Sequence, residues 1–174
     1  MEALVVYESM YGNTASIGET IAASLRAQGL EVTSGPISRI GAEDATDVDL
    51  LIVGGPTHVH GMSSTQSRKA AVQDEKNAYP EPTAGPGLRT WLRELVPGHG
   101  RLAAAFDTRL DKAVLMTGSA AKGIARRLRD RGFRLVMAPE CFLVTTENRL
   151  VDGEMDHATA WGTRVAEGAS AAVD

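Results

Sequence analysis

The feature that most constrains this chain is a set of short aliphatic runs whose apolar residues are consecutive rather than alternating. Leu4-Val5-Val6-Tyr7 and Leu50-Leu51-Ile52-Val53 are the clearest. A strand with one solvated face alternates apolar and polar side chains, so a strand apolar at every position is covered on both sides. Between the runs lie stretches of helical periodicity. In Thr14 to Gln28, Ile17, Ile21 and Leu25 fall on one face, and Gly29 supplies the stop. Runs and helices alternating in this way predict an α/β, doubly wound parallel sheet with helices on both faces. A length of 174 residues fits a single domain spanning the whole chain, with room for a proper core.

The expected order continues along the chain. Glu31 to Ser34 reads as a second, edge strand, and the run at Leu50 as the central one. Gly54 to Ser64 reads as a loop, followed by a helix near Thr65 to Val72. Asp74 to Gly87 holds three prolines and two glycines, so it reads as an exposed excursion. A short helix over Leu88 to Val96, packing Trp91 and Leu92, leads to a strand at Leu102 to Phe106. Thr108 to Lys112 is polar, and Val114-Leu115-Met116 fits a short strand or part of a long loop. Ala120 to Arg131 is helical with Ile124 and Leu128 inward. Phe133 to Val144 carries the last strand, broken or bent at Pro139, and Asp156 to Ala171 closes the chain as a helix. Five strands are expected in all.

Composition narrows the function classes. Apolar content of 43% and charged content of 23% are ordinary for a soluble globular protein. No apolar run approaches a membrane span, so no membrane insertion is expected, and the N-terminus lacks the pattern of a signal peptide. A single cysteine, Cys141, forms no internal disulfide and agrees with a reducing cytoplasm. Within an apolar strand it reads as a small buried hydrophobe or, less simply, a nucleophile. A formal net charge of −4 gives no reason to expect nucleic acid as a partner.

In a doubly wound sheet, ligands bind beyond the carboxyl ends of the strands. Three loops follow strands there. The first, Ser9-Met10-Tyr11-Gly12-Asn13-Thr14, leads directly into a helix. Free amides and the dipole at a helix N-terminus favour an anion, and Gly12 permits a tight turn. The loop has no basic residue, so neutral donors would hold the charge. It has neither the lysine of an ATP-binding loop nor the Gly-x-Gly-x-x-Gly of a dinucleotide fold. Two readings fit these residues: an ordinary helix cap and a phosphate site.

Tyr7-Glu8-Ser9-Met10-Tyr11-Gly12-Asn13-Thr14 resembles the phosphate loop of the flavodoxin-like family, Thr/Ser-x-Thr-Gly-x-Thr. Tyr11 stands in place of the middle threonine, as in the related FMN-dependent quinone reductases with Ser-x-Tyr-Gly, and a phenol still donates a hydrogen bond. Val53-Gly54-Gly55-Pro56-Thr57 resembles the Gly-x-Pro/Ser-Thr that ends the third flavodoxin strand. The likeness runs from Leu4 to the last helix, apart from Asp74 to Gly87, and no long insertion splits the last strand, as in short-chain flavodoxins. It implies FMN as cofactor, although the loop reads only a phosphate and a deazaflavin would share it.

On this likeness the second loop, Pro56-Thr57-His58-Val59-His60-Gly61, lies against the flavin ring. Its two histidines read as exposed polarity, as a metal pair lacking a third ligand, or as flavin contacts, where a protonated imidazole would tune the cofactor. The third, Phe106-Asp107-Thr108-Arg109-Leu110, stands where flavodoxins present a stacking tyrosine, and no tyrosine occurs here. The amides of Asp107 to Leu110 would meet the pyrimidine edge. Arg109 reads as a flavin or substrate contact, or as a surface arginine paired with Asp107 or Asp111. Lys122, Arg126, Arg127, Arg129, Arg131 and Arg134 surround Asp130. They read as a solvated helix face, or as a docking face for an acidic redox partner or for nucleotide phosphates.

Three functions follow: an FMN-binding electron-transfer protein serving a redox partner protein or a small electron acceptor, an FMN-dependent reductase of a quinone or similar small acceptor, and a cofactor-free flavodoxin-fold binding protein.

Overall fold

A computed structural model describes residues 1–58, 61–74 and 85–173, and the side chains of all of these except Val114 and Leu115. Val59 and His60, and the expected excursion from Asp74 to Gly87 apart from its two ends, lie outside the described residues.

The chain runs β1 (Glu2–Tyr7), α1 (Asn13–Ala27), β2 (Glu31–Pro36), a short 3-10 turn (Ala42–Ala45), β3 (Leu50–His58), β4 (Gly61–Met62), α2 (Thr65–Gln73) and α3 (Leu88–Glu94). It continues through β5 (Leu102–Leu110), α4 (Val114–Thr117), α5 (Ala120–Asp130), β6 (Arg134–Leu135), β7 (Glu140–Val144) and α6 (Glu154–Ala171). The sheet order is β2-β1-β3-β5, with β6 and β7 both paired to β5. β6 takes Leu102 and Ala103 at the start of β5, and β7 takes Phe106 to Leu110 at its end. Together they fill the fifth parallel position of the α/β sheet. Of the break or bend expected at Pro139, the structure has the break, between the two pieces.

The consecutive aliphatic runs divide cleanly between the two faces. Val5, Leu50 and Ile52 point toward α1 and α6, where Ile17, Ile21, Leu25, Trp161 and Val165 complete one core. Leu4, Val6, Leu51 and Val53 point the other way, onto Trp91 and Leu92 of α3 and Ile124 and Leu128 of α5. Each apolar run therefore serves two cores, and burial of this kind contributes about 25 cal/mol per Å² of apolar surface removed from water.

Three expectations need correction. β3 does not stop at Val53; it continues through Gly54 and Gly55 to His58, paired with β5 as far as Pro56 opposite Thr108. The glycines are strand residues because neighbours fill the space of a side chain. A Cβ on Gly54 would lie 2.0 Å from the Phe106 ring, and one on Gly55 2.4 Å from Leu88. β5 likewise runs on to Leu110 through residues read as a polar loop, because β7 supplies a second ladder there. Val114 to Thr117 is helical rather than a strand or loop. Among the described residues, no helix is long and apolar enough to cross a membrane.

Candidate functional site

The carboxyl ends of β1, β3, β5 and β7 meet at one edge of the sheet. After β1 the chain turns through Gly12, whose φ of 86° belongs to the left-handed region that glycine adopts without strain, and enters α1. The helix has no side-chain cap at its first position and no acidic residue in its first turn, so the positive end of its dipole has no carboxylate of its own. Ser9 Oγ reaches in from behind to accept the Ala15 amide at 3.2 Å, which is the capping role. The Thr14 and Thr108 hydroxyls share a hydrogen bond of 2.7 Å. Only one proton is used between them, so the pair keeps another for a further acceptor. Asn13 Nδ2 donates to the carbonyl of Asn148 at 2.9 Å, tying the turn after β7 to the start of α1. The Tyr11 hydroxyl donates to Asp74 Oδ2 at 3.1 Å. Burial, with the Asp74 carboxylate, raises its pKa and keeps it protonated.

These groups frame a cleft of about 230 Å³. Met10, Tyr11, Asn13 and Thr14 line it from the first loop, Pro56, Thr57 and His58 from the end of β3, and Thr108 and Arg109 from the end of β5. These nine are the expected residues that the fold brings together. Gly12 shapes the turn, Ser9 caps, and Gly61 pairs with His58 in β4, none of them on the wall. Leu110, the last residue of the expected third loop, also lines it; Val144 and Asn148 complete the lining and were not anticipated. For Val144 the signal was the carboxyl end of the last strand, where the same topological rule applies.

Phe106 and Asp107 depart from expectation. Phe106 is fully buried, edge-on to Phe142 and Trp161 at 6.0 and 6.2 Å, because it lies on the α1–α6 face of the strand. Asp107 faces the other way but is equally buried. Its Oδ2 accepts the Thr57 hydroxyl (2.9 Å), the Ser119 hydroxyl (2.8 Å) and the Ala121 amide (2.8 Å). Both residues have strand neighbours on each side, so their amides belong to the ladder and do not meet a ligand. Thr57 is bound on two sides, since its hydroxyl also accepts the Ala120 amide at 2.8 Å. Asp107 thus fixes the end of β3 to the start of α5, directly behind the cleft.

Two buried polar atoms in the cleft lining have no hydrogen-bond partner among the described residues: His58 Nε2 and Arg109 Nε. Burial lowers the His58 pKa, so the imidazole is neutral at neutral pH rather than the imidazolium anticipated. Arg109 is not paired with Asp107 or Asp111; its Nη1 donates to the carbonyls of Leu110 (3.2 Å) and Lys112 (2.6 Å). Cys141 is half-buried beside Ser119, and burial with the Asp107 carboxylate raises its pKa, leaving a thiol rather than a nucleophilic thiolate. Sequence reasoning missed Glu8. Its carboxyl accepts from Ser63, meets Arg68 at 3.3 Å and accepts the Leu88 amide at 3.4 Å. Burial outweighs these contacts and raises its pKa.

A family model described as a flavodoxin domain matches residues 4–77, which include the first loop and the end of β3. The match spans less than half of the chain. Among solved structures it is similar to a flavodoxin from the domain Archaea, at 19% identity and a TM-score of 0.68, covering 98% of this chain and 99% of that one. Oxidised Flavodoxin 1 from Bacillus cereus matches at 19% identity and a TM-score of 0.69, with 96% and 98% covered. A WrbA-like flavodoxin protein from Agrobacterium tumefaciens matches at 16% and 0.62, with 98% of each covered. No curated protein matches the sequence significantly. At these identities the likeness to solved structures speaks for the fold.

The cleft suits a flavin chemically. A phosphate would meet the N-terminus of α1 and the Thr14–Thr108 hydroxyls, and the unpartnered Arg109 Nε and His58 Nε2 suit polar atoms of a ring system.

Proposed function

We propose that this chain holds FMN in the cleft at the carboxyl edge of its sheet and works as an electron-transfer protein. The observation that carries the reading is the meeting, in one cleft, of a helix N-terminus that has no acidic residue in its first turn with two buried nitrogens, His58 Nε2 and Arg109 Nε, that no described residue satisfies. A buried unsatisfied donor costs about 1–3 kcal/mol, and a ligand acceptor relieves that cost. FMN, when bound, supplies one- and two-electron redox chemistry. The protein's part is to hold and orient it. The first turn of α1 and the hydroxyls of Thr14 and Thr108 hold the phosphate, while His58, neutral and half-buried, and Arg109 present their unpartnered nitrogens to the ring system. Asp107, through Thr57 and the start of α5, keeps the end of β3 in place.

Titration with FMN tests this directly: flavin fluorescence is quenched on binding, and Thr14→Ala weakens the affinity by about 1–3 kcal/mol. Absence of saturable quenching would overturn the proposal in favour of a cofactor-free binding protein. A second reading, a reductase of a quinone or similar acceptor, is favoured by Arg109, whose cationic fork beside the cleft suits a carbonyl or carboxylate substrate. Rapid oxidation of NAD(P)H in the presence of quinone would select it. Photoreduction in two resolved one-electron stages would select the carrier.

A further inference from the structure

On the face opposite α1 and α6, a second concavity of about 390 Å³ lies between α3 and α5. Arg89 and Arg93 line it from α3, and Arg127 and Arg131 from α5 and its C-terminal cap, with Leu92 and Asp130 among them. Each pair is spaced by four residues, which places both side chains on the same helical face. Four guanidiniums and one carboxylate form this wall in a chain whose net charge is −4.

Among the described residues, no carboxylate forms an ion pair with any of the four. Neutral oxygens hold them instead. Arg89 donates through Nε to the Ser63 carbonyl at 2.9 Å and through Nη2 to that of Met62 at 2.8 Å. Arg127 Nη1 donates to the Gly123 carbonyl at 3.4 Å, Arg131 Nη2 to the Arg93 carbonyl, and Arg93 Nη2 to Thr90 Oγ1 at 3.3 Å. Each guanidinium has five N–H groups, so most remain free of these anchors. Burial and the nearby Arg89 and Arg126 lower the Arg127 pKa, while Asp130 opposes them. Like charges gathered without a paired carboxylate raise the energy of the folded chain, and a bound anion lowers it.

We propose that this groove is a binding site for a compact ligand carrying adjacent phosphate groups. Planar guanidinium forks pair bidentately with phosphate oxygens. Their carbonyl anchors set the forks in place beforehand, so little side-chain freedom is lost on binding. The concave arrangement between two helices favours a small polyanion over a broad acidic protein surface. Such a surface would also engage the exposed Lys122, Arg126 and Arg129, which lie outside the groove lining.

Calorimetric titration of the full chain with pyrophosphate at fixed ionic strength tests the proposal. Saturable binding is expected. Arg93→Gln and Arg127→Gln should each weaken it at least about tenfold, the size of one lost charge-assisted contact. Arg129→Gln, outside the groove, should leave it unchanged. If Arg127→Gln impairs folding, Arg127→Lys retains the charge but loses the fork, and a several-fold weakening is still expected. Four outcomes overturn the proposal: no saturable binding, equal loss in Arg129→Gln, tighter binding of a Glu-rich peptide that competes with pyrophosphate, or loss of binding in Thr14→Ala alone. The last would place the anion in the carboxyl-edge cleft.

Discussion

The cleft at the carboxyl edge is lined by hydroxyls, amides, an imidazole and a single guanidinium, Arg109, whereas the groove between α3 and α5 is lined by four guanidiniums and one carboxylate. Both suit a phosphate, by different physics. The cleft relies on oriented neutral dipoles in a partly dry setting, where each donor is placed by strands and by a helix end. The groove relies on net charge, which acts at longer range and demands less of geometry. Neutral donors therefore confer shape selectivity and tolerate salt; clustered charge confers attraction and yields to it.

The largest test of their independence is Asp107→Ala. It removes the acceptor shared by Thr57, Ser119 and Ala121, and should lower stability by about 3 kcal/mol in chemical denaturation. Since the same carboxylate anchors both the end of β3 and the start of α5, this variant should impair FMN and pyrophosphate binding together. Thr14→Ala should separate them, weakening FMN by about 1–3 kcal/mol and leaving pyrophosphate untouched. Salt sharpens the contrast further: as screening shortens from about 10 Å at 0.1 M to about 3 Å at 1 M ionic strength, pyrophosphate affinity should fall more steeply than FMN affinity. Equal slopes in the two titrations would remove the distinction.

The smallest effect concerns Glu8, next to the first loop. Its folded-state pKa is raised above the ordinary 4.5, so the folded chain holds that proton more tightly than the unfolded one. The stability this contributes is fully present below 4.5 and is lost as pH rises through the raised value. Glu8→Gln should flatten that part of the stability–pH curve. A slope unchanged in the variant would show that another group produces it.

Much of the fold was legible because double coverage leaves a simple mark. Leu50 to Val53 is apolar at every position because its side chains alternate between two cores. The strand ends were not legible, and the reason is the same chemistry that makes the site. Thr108 and Arg109 are polar because they border a cleft, and polarity at a strand end reads as loop. Gly54 and Gly55 read as turn residues, but the Phe106 ring and Leu88 occupy the places their side chains would take. Gly12 and the helix that follows marked the first loop in the sequence, and its residues do line the cleft. Asn148, which the chain brings back from the far end of the sequence, carried no local sign. Nor did the arginine groove, whose α5 half was visible as a charge cluster while Arg89 and Arg93 come from a separate helix.

The break between β6 and β7 has a consequence for how this molecule behaves among its neighbours. A sheet's last strand offers unpaired amides and carbonyls that another chain can copy, and long flat edges invite aggregation. Here that margin is cut into a two-residue piece and a five-residue piece, with Pro139, which has no amide hydrogen, in the gap. At the opposite margin β2 ends in Pro36. One border is interrupted and the other ends at a proline, two devices that limit edge-to-edge pairing.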